Sequence, residues 1–181
     1  MTATIKVRRP TAAPAGDTSA PTFTLGVALS GLTIGLREDR AWRSWQHIGD
    51  RWCEWLARDG ASTLTVETQA QVGGPGSDDR RNVDELARAS DAAIVGLGTC
   101  GSCTTFTIKD AVAVEALGKP VIAIVCDEFV VHAHNVARHL GHGDLKVLTM
   151  PYPLEARPAD ELDAIALEFY PKALDLLGAI R

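Results

Sequence analysis

Five short apolar runs, each followed by a stretch of helical period, constrain this chain more than any other feature. The runs are Leu32–Leu36, Thr63–Glu67, Ala92–Leu97, Val121–Val125 and Leu145–Thr149. Helical patterns follow them over 41–59, 79–90, 104–117, 129–140 and 159–178, with Pro171 expected to kink or restart the last. The middle runs are continuous and β-branched rather than alternating, as in strands buried on both faces. The pattern predicts an α/β fold, a single doubly wound, flavodoxin-like parallel sheet of five strands with helices on both faces. In the usual order 2-1-3-4-5 the topological switch point lies between the first and third strands, and ligands bind outside the carboxyl ends there. The loops at Arg37–Arg40 and Thr99–Thr104 should therefore lie side by side.

Around this unit the chain is less regular. Residues 1–21, rich in Pro, Ala, Thr and Gly, read as a disordered tail, and 22–181 as one α/β domain. "TFTLGVAL" reads as a short lead-in strand or hairpin arm, and the Gly-rich "QVGGPGSDD" as a mobile loop. A net charge of −5 gives no basic footprint, so nucleic acid and anionic membrane surfaces are not expected partners. No apolar run approaches the ~18 residues of a membrane span, and the first residues lack a secretory signal's apolar segment. A cytoplasmic location is expected. In a reducing compartment four cysteines in 181 residues point to catalytic, metal-binding or core roles rather than a disulfide framework.

The third-strand corner, "GLGTCGSCTT", holds Cys100 and Cys103 two residues apart. Such a pair can be a redox couple, half a metal site, a nucleophile with a helper, or core packing. Gly96, Gly98 and Gly101 allow a tight turn, while Ser102, Thr104 and Thr105 are placed to cap the helix that follows. The dipole and free N–H groups there favour a thiolate. With Gly98, Thr99, Gly101, Ser102, Thr104 and Thr105, and with Arg37 and Arg40 from the first-strand corner, they form a candidate site for a small anionic substrate. His132, opening the fourth helix, is the candidate general acid or base beside Cys100 and Cys103; His134 is its neighbour. "GLGTCG" matches the dinucleotide fingerprint formally but sits on the third strand, so no nucleotide cofactor is expected. Cys126 with the pair and His132 or His134 makes a loose zinc set, kept as the alternative to having no cofactor. His139 and His142 read as structural, and Asp110, two turns into the third helix, reads equally as a site residue or a solvated one. Trp45, Ile48, Trp52 and Trp55 form one apolar stripe, whereas Trp42 is placed to face the crevice or a second subunit of a homo-oligomer. Cys53 falls off the stripe and has no assigned role.

The run "VGLGTCGSCTTFTIKDAVAVEALGKPVIAIV", with "EFV" and later "MPYPL", resembles the UGSC-motif family of bacterial (seleno)proteins, whose core here is Cys100-Gly101-Ser102-Cys103. Some members carry selenocysteine at the first core position, which implies that residue 100 is the reactive chalcogen. Together these readings lead to a cysteine-dependent enzyme, an oxidoreductase in which Cys100 attacks a small electrophile and Cys103 resolves the adduct, served by a thiol reductant. A lyase or isomerase without net redox change, and a non-catalytic redox-sensing subunit, are the other two readings.

Overall fold

In the computed structural model, which describes residues 19–68 and 77–180, the strands are β1 (Thr33–Asp39), β2 (Ser62–Thr68), β3 (Ala92–Gly98), β4 (Val121–Cys126) and β5 (Val147–Met150). Five α-helices alternate with them: α1 (Arg43–Arg58), α2 (Ser77–Ala89), α3 (Gly101–Glu115), α4 (Val130–His139) and α5 (Ala159–Leu177). The strands form one sheet in the order 2-1-3-4-5, every pair parallel. This is the flavodoxin-like arrangement read from the alternation.

The central strands β3 and β4 supply both cores, because successive side chains leave opposite faces. Ile34, Leu36, Ile94, Leu97, Ile122 and Ile124 meet α1 and α5 on one side. Ala93, Val95, Ala123 and Val125 meet α2, α3 and α4 on the other. The tryptophan stripe of α1 is core as expected: Trp45 and Trp52 are fully buried and meet edge to face at 5.6 Å. Their indole N–H groups donate to the Arg37 and Ala166 carbonyls, which removes the cost of burying them. Trp42 is half-buried against the same core, and its indole nitrogen is buried without a partner among the described residues.

Three expectations need correction. β1 does not end at Leu36; it pairs with β2 through Asp39, so Arg37, Glu38 and Asp39 are strand residues and the corner loop begins at Arg40. Helix α5 runs unbroken through Pro171, keeping Ile165 and Ala166 before it and Ala173, Leu174 and Leu177 after it in the core. "TFTLGVAL" makes no hairpin; it contributes one parallel bridge, Ala28 to Ile180. The tail predicted over 1–21 lies outside the described residues except for its last three. There the Ala20 N–H donates to the Gly141 carbonyl and the Ser19 hydroxyl accepts from the Asp144 N–H. Of the mobile loop predicted at "QVGGPGSDD", residues 71–76 also lie outside, and the helix after it begins at Ser77. Among the described residues no helix is long and apolar enough to cross a membrane.

Candidate functional site

Strand β3 ends at Gly98 and helix α3 begins at Gly101, so only Thr99 and Cys100 turn the chain. Cys100 is extended and stands as the N-cap: its Sγ accepts a hydrogen bond from the Cys103 N–H at 3.1 Å. The two cysteines are joined as a disulfide, with Cα atoms 5.2 Å apart. Cys103 is buried at 6% exposure, while Cys100 is half-exposed and its neighbours Gly101 and Ser102 are open to solvent. A sulfur that caps a helix sits where unpaired N–H groups and the helix dipole converge. The outer sulfur is thus both accessible and favoured as a thiolate once the bond is reduced.

The hydroxyls foreseen as caps lie inside the helix instead. Thr104 and Thr105 donate back to the carbonyls of Cys100 and Gly101 at 2.7 and 2.9 Å, the i−4 bonds open to a hydroxyl in a first turn. Thr104 is fully buried, Thr105 half-exposed. The Ser102 hydroxyl lies 3.4 Å from the Cys100 sulfur. Nor do the glycines mainly serve a turn. A Cβ on Gly96 would enter the Trp45 ring, and one on Gly98 would press on Thr104 and Val125, whereas Gly101 has open space.

Helix α4 delivers His132 to this corner. Its Nε2 lies 3.0 Å from the Thr105 hydroxyl and 3.1 Å from the Gly101 carbonyl. Because the Thr105 proton is committed to Gly101, Nε2 carries a hydrogen and donates, leaving Nδ1 as the basic nitrogen of the neutral ring. His132 holds the first turn of α3 and stands one residue from Cys100. His134 is half-buried further along α4. His142 pairs with the buried Glu115 at 2.6 Å, a structural contact of the kind expected for it.

The arginines differ most from expectation. Arg37 is 1% exposed; its Nη1 donates to the Gly96 carbonyl at 2.7 Å and its Nη2 meets the Asp110 carboxylate at 3.0 Å. It ties β1 to β3 and α3 from the inside, and Asp110 is its partner rather than a solvated residue. Arg40 does reach the surface of the corner, paired with Glu67 at 2.6 Å. Cys126, at the end of β4, is fully buried, and burial pushes its thiol up from the ordinary range. Burial does the same to Cys53 beside Thr65. Among the described residues no group of three His, Cys, Asp or Glu side chains is gathered to hold a metal ion.

Sequence reasoning missed two carboxylates. Glu38 is 6% exposed against α1, and burial, with Asp50 and Glu67 nearby, pushes its carboxyl up to about 7. Asp39 is fully buried. A charged run after an apolar strand resembles a strand end, so both look like loop residues in the sequence, and the ladder to Thr68 shows otherwise.

The profile of the UGSC family matches residues 6–179. No curated protein sequence matches the chain. Among solved structures, two mutants of a flavo di-iron protein from Thermotoga maritima are similar. One gives a TM-score of 0.50 at 12% identity, covering 83% of this chain. The other gives 0.49 at 13% identity, covering 81%. This chain spans about a third of their length, 36% in each case, and at such identity the likeness is one of fold alone.

Proposed function

The chain belongs to the UGSC family, and from that premise we propose that it is a thiol-dependent oxidoreductase working through the Cys100–Cys103 pair. The observation that carries the reading is the geometry of that pair: a half-exposed sulfur capping α3, bonded to a second sulfur buried one turn inside. In the reduced protein the Cys100 thiolate attacks an electrophilic heteroatom Y of a substrate Y–Z. The S–Y bond forms, Y–Z breaks, and Z leaves with the electron pair and takes a proton. Cys103 then attacks the Cys100 sulfur, forming the disulfide and releasing Y, which is protonated in turn. Two electrons pass from dithiol to substrate, and two equivalents of a thiol reductant return them. Where an external thiol instead attacks Y of the Cys100 adduct, the bond from Y to the thiol forms, Cys100 leaves as thiolate, and the net reaction is substitution of Z by the thiol. The setting is a reducing one, the cytoplasm. With Arg37 engaged in the interior, an anionic part of the substrate is met by the N–H groups opening α3 and by Arg40 at the rim.

Limiting iodoacetamide on the reduced protein, followed by peptide mapping, tests the assignment. Cys100 should be modified first, and C100S should lose all turnover of small disulfides. C103S should accumulate the substrate fragment on Cys100 in intact mass spectra. Labelling that falls first on Cys103 would overturn the order of the thiols. Turnover that survives C103S would favour addition without redox change, and a pair that cycles with no small-molecule turnover would favour a redox sensor.

A further inference from the structure

The loop between β5 and α5 borders the cysteine corner from the other side of the sheet. Helix α3 packs on one face and α5 on the other, so the corner that opens α3 and the loop that opens α5 flank the carboxyl ends of β3 and β4. Side chains fix the course of that loop. The Glu155 carboxylate accepts from the Ser44 N–H at 3.2 Å and from its hydroxyl at 2.8 Å. Ser44 precedes Trp45, whose ring lies against Gly96 of β3 and whose indole N–H reaches the Arg37 carbonyl of β1, so the loop crosses the end of β4 toward β3. Leu154, within the loop, is fully buried, and Tyr152 meets Phe129, which follows β4, edge to face at 5.7 Å.

The loop carries one cation to this edge. Arg157 Nε donates to the Pro153 carbonyl at 2.5 Å and Nη1 to Glu161 at 3.2 Å, while Nη2 has no partner among the described residues. Burial raises the Cys126 thiol most, Asp127 adds to the rise, and the Arg157 charge opposes it, which places the guanidinium near the end of β4. There Val125 pairs with Gly98, so Cys126 is level with Thr99, the residue before Cys100. Ala156, which turns the chain into Arg157, is held at a left-handed φ of 68°, a costly conformation for a residue with a side chain and one that clusters at ligand clamps. Arg40 is less well placed. Its pairing with Glu67 draws it toward β2, on the far side of β1 from β3, and at 58% exposure water screens its charge more than that of Arg157 at 28%.

We propose that Arg157 holds the anionic group of the substrate while Cys100 attacks, so that the site selects small electrophiles bearing a carboxylate or a similar anion. The inference rests on the thiol-exchange reading of the cysteine pair. The experiment mixes reduced protein with dithiodipropionate, which carries two carboxylates, or with bis(2-hydroxyethyl) disulfide, which is of similar size and neutral. First attack is followed by acid quench and intact mass as the sum of the mixed disulfide on Cys100 and the closed Cys100–Cys103 bond. The ratio of the two rates reads anion recognition apart from the reactivity of the thiol. Arg157→Gln should slow attack on the dicarboxylate about tenfold, the loss that goes with a charge-assisted hydrogen bond, and leave attack on the neutral disulfide within about twofold. E161Q removes the carboxylate that shares Arg157, so it should raise the ratio, and it reads the same point should R157Q fold poorly. An unchanged ratio in R157Q overturns the proposal, including one in which both rates fall equally and the role is structural. An unchanged ratio in E161Q overturns it where R157Q does not fold. A larger fall of the ratio in R40Q than in R157Q assigns the anion to Arg40 and also overturns it. A wild-type protein that forms no adduct from either disulfide overturns the thiol-exchange reading itself, a result that cannot be confused with the others.

Discussion

Removing the Arg37 guanidinium would leave the Asp110 carboxylate against an interior built to receive a cation, and a half-broken buried pair is costlier than no pair. Arg37→Gln should therefore lower stability to urea by about 3–5 kcal/mol. The R37Q/D110N double variant should lose less than the two single variants combined, and strict additivity would show that the pair is not coupled. Across the strand, Glu38 carries a different signature. Burial, then Asp50 and Glu67, raise its carboxyl from 4.5 to about 7. A group that binds its proton more tightly when folded stabilises the fold fully below its unfolded value and loses that contribution as pH rises through the folded one. Stability should thus fall between about pH 4.5 and 7, by at most about 3 kcal/mol, and Glu38→Gln should flatten that decline; urea midpoints at pH 5 and 7.5 decide it. At this scale the sequence was legible where chemistry sits on the surface of a motif. Cys100 and Cys103 stood out by spacing and flanking residues. Arg37 and Asp110 did not, since the value of a buried charge lies in a partner 73 positions away, and nothing local marks either as interior.

The helix that carries the cysteines begins three residues earlier than its apolar period suggests, because the period is read from buried side chains and the first turn of α3 has few. Gly101 and Ser102 are open, and the cap is a sulfur rather than a hydroxyl. The strands were the easier elements: continuous apolar runs marked β3 and β4 to within a residue, while β1 outran its apolar run into Arg37, Glu38 and Asp39. One feature of β3 decides how it meets α1. The pairing of β3 with β4 shifts register between Val95 and Gly98, and the Trp45 ring lies where a Gly96 side chain would be. Gly96→Ala must push the indole off, which also strains its hydrogen bond to the Arg37 carbonyl. Such overpacking costs about 1–3 kcal/mol. The expected result is a lower urea midpoint with a changed tryptophan emission, whereas Gly101→Ala, with open space around it, should leave both unchanged. An unchanged emission in G96A would mean that the ring already has room to move.

The proposed site and the closing strap lie at opposite edges of the sheet. The cysteine pair, His132 and Arg40 stand at the carboxyl edge of the sheet, while the segment before β1 fastens the amino edge. Leu25 and Gly26 donate to the carbonyls of Leu177 and Gly178, Ile180 donates back to Val27, and the Lys146 ammonium donates to the Phe23 carbonyl at 2.8 Å. Helix α5 ends at Gly178 with a left-handed φ of 76°, the conformation that frees its last carbonyls for this strap, and a Cβ there would crowd Thr24. Burial lowers the Lys146 ammonium from its usual range, so its charge is held on the strap at a cost that only a good acceptor offsets. Each of these bonds is worth about 1 kcal/mol net, and together they fasten the segment before β1 to the end of α5 and the loop before β5. A protein starting at Ala28 should therefore melt about 10 °C lower or more, following the ordinary dependence for a domain of this size. Because the strap's contacts among the described residues lie at the amino edge, limiting iodoacetamide should still modify Cys100 first and at the same rate. A midpoint that does not move would show the strap to be unbound in solution. A lost preference for Cys100 would show that closure at one edge sets the helix start at the other.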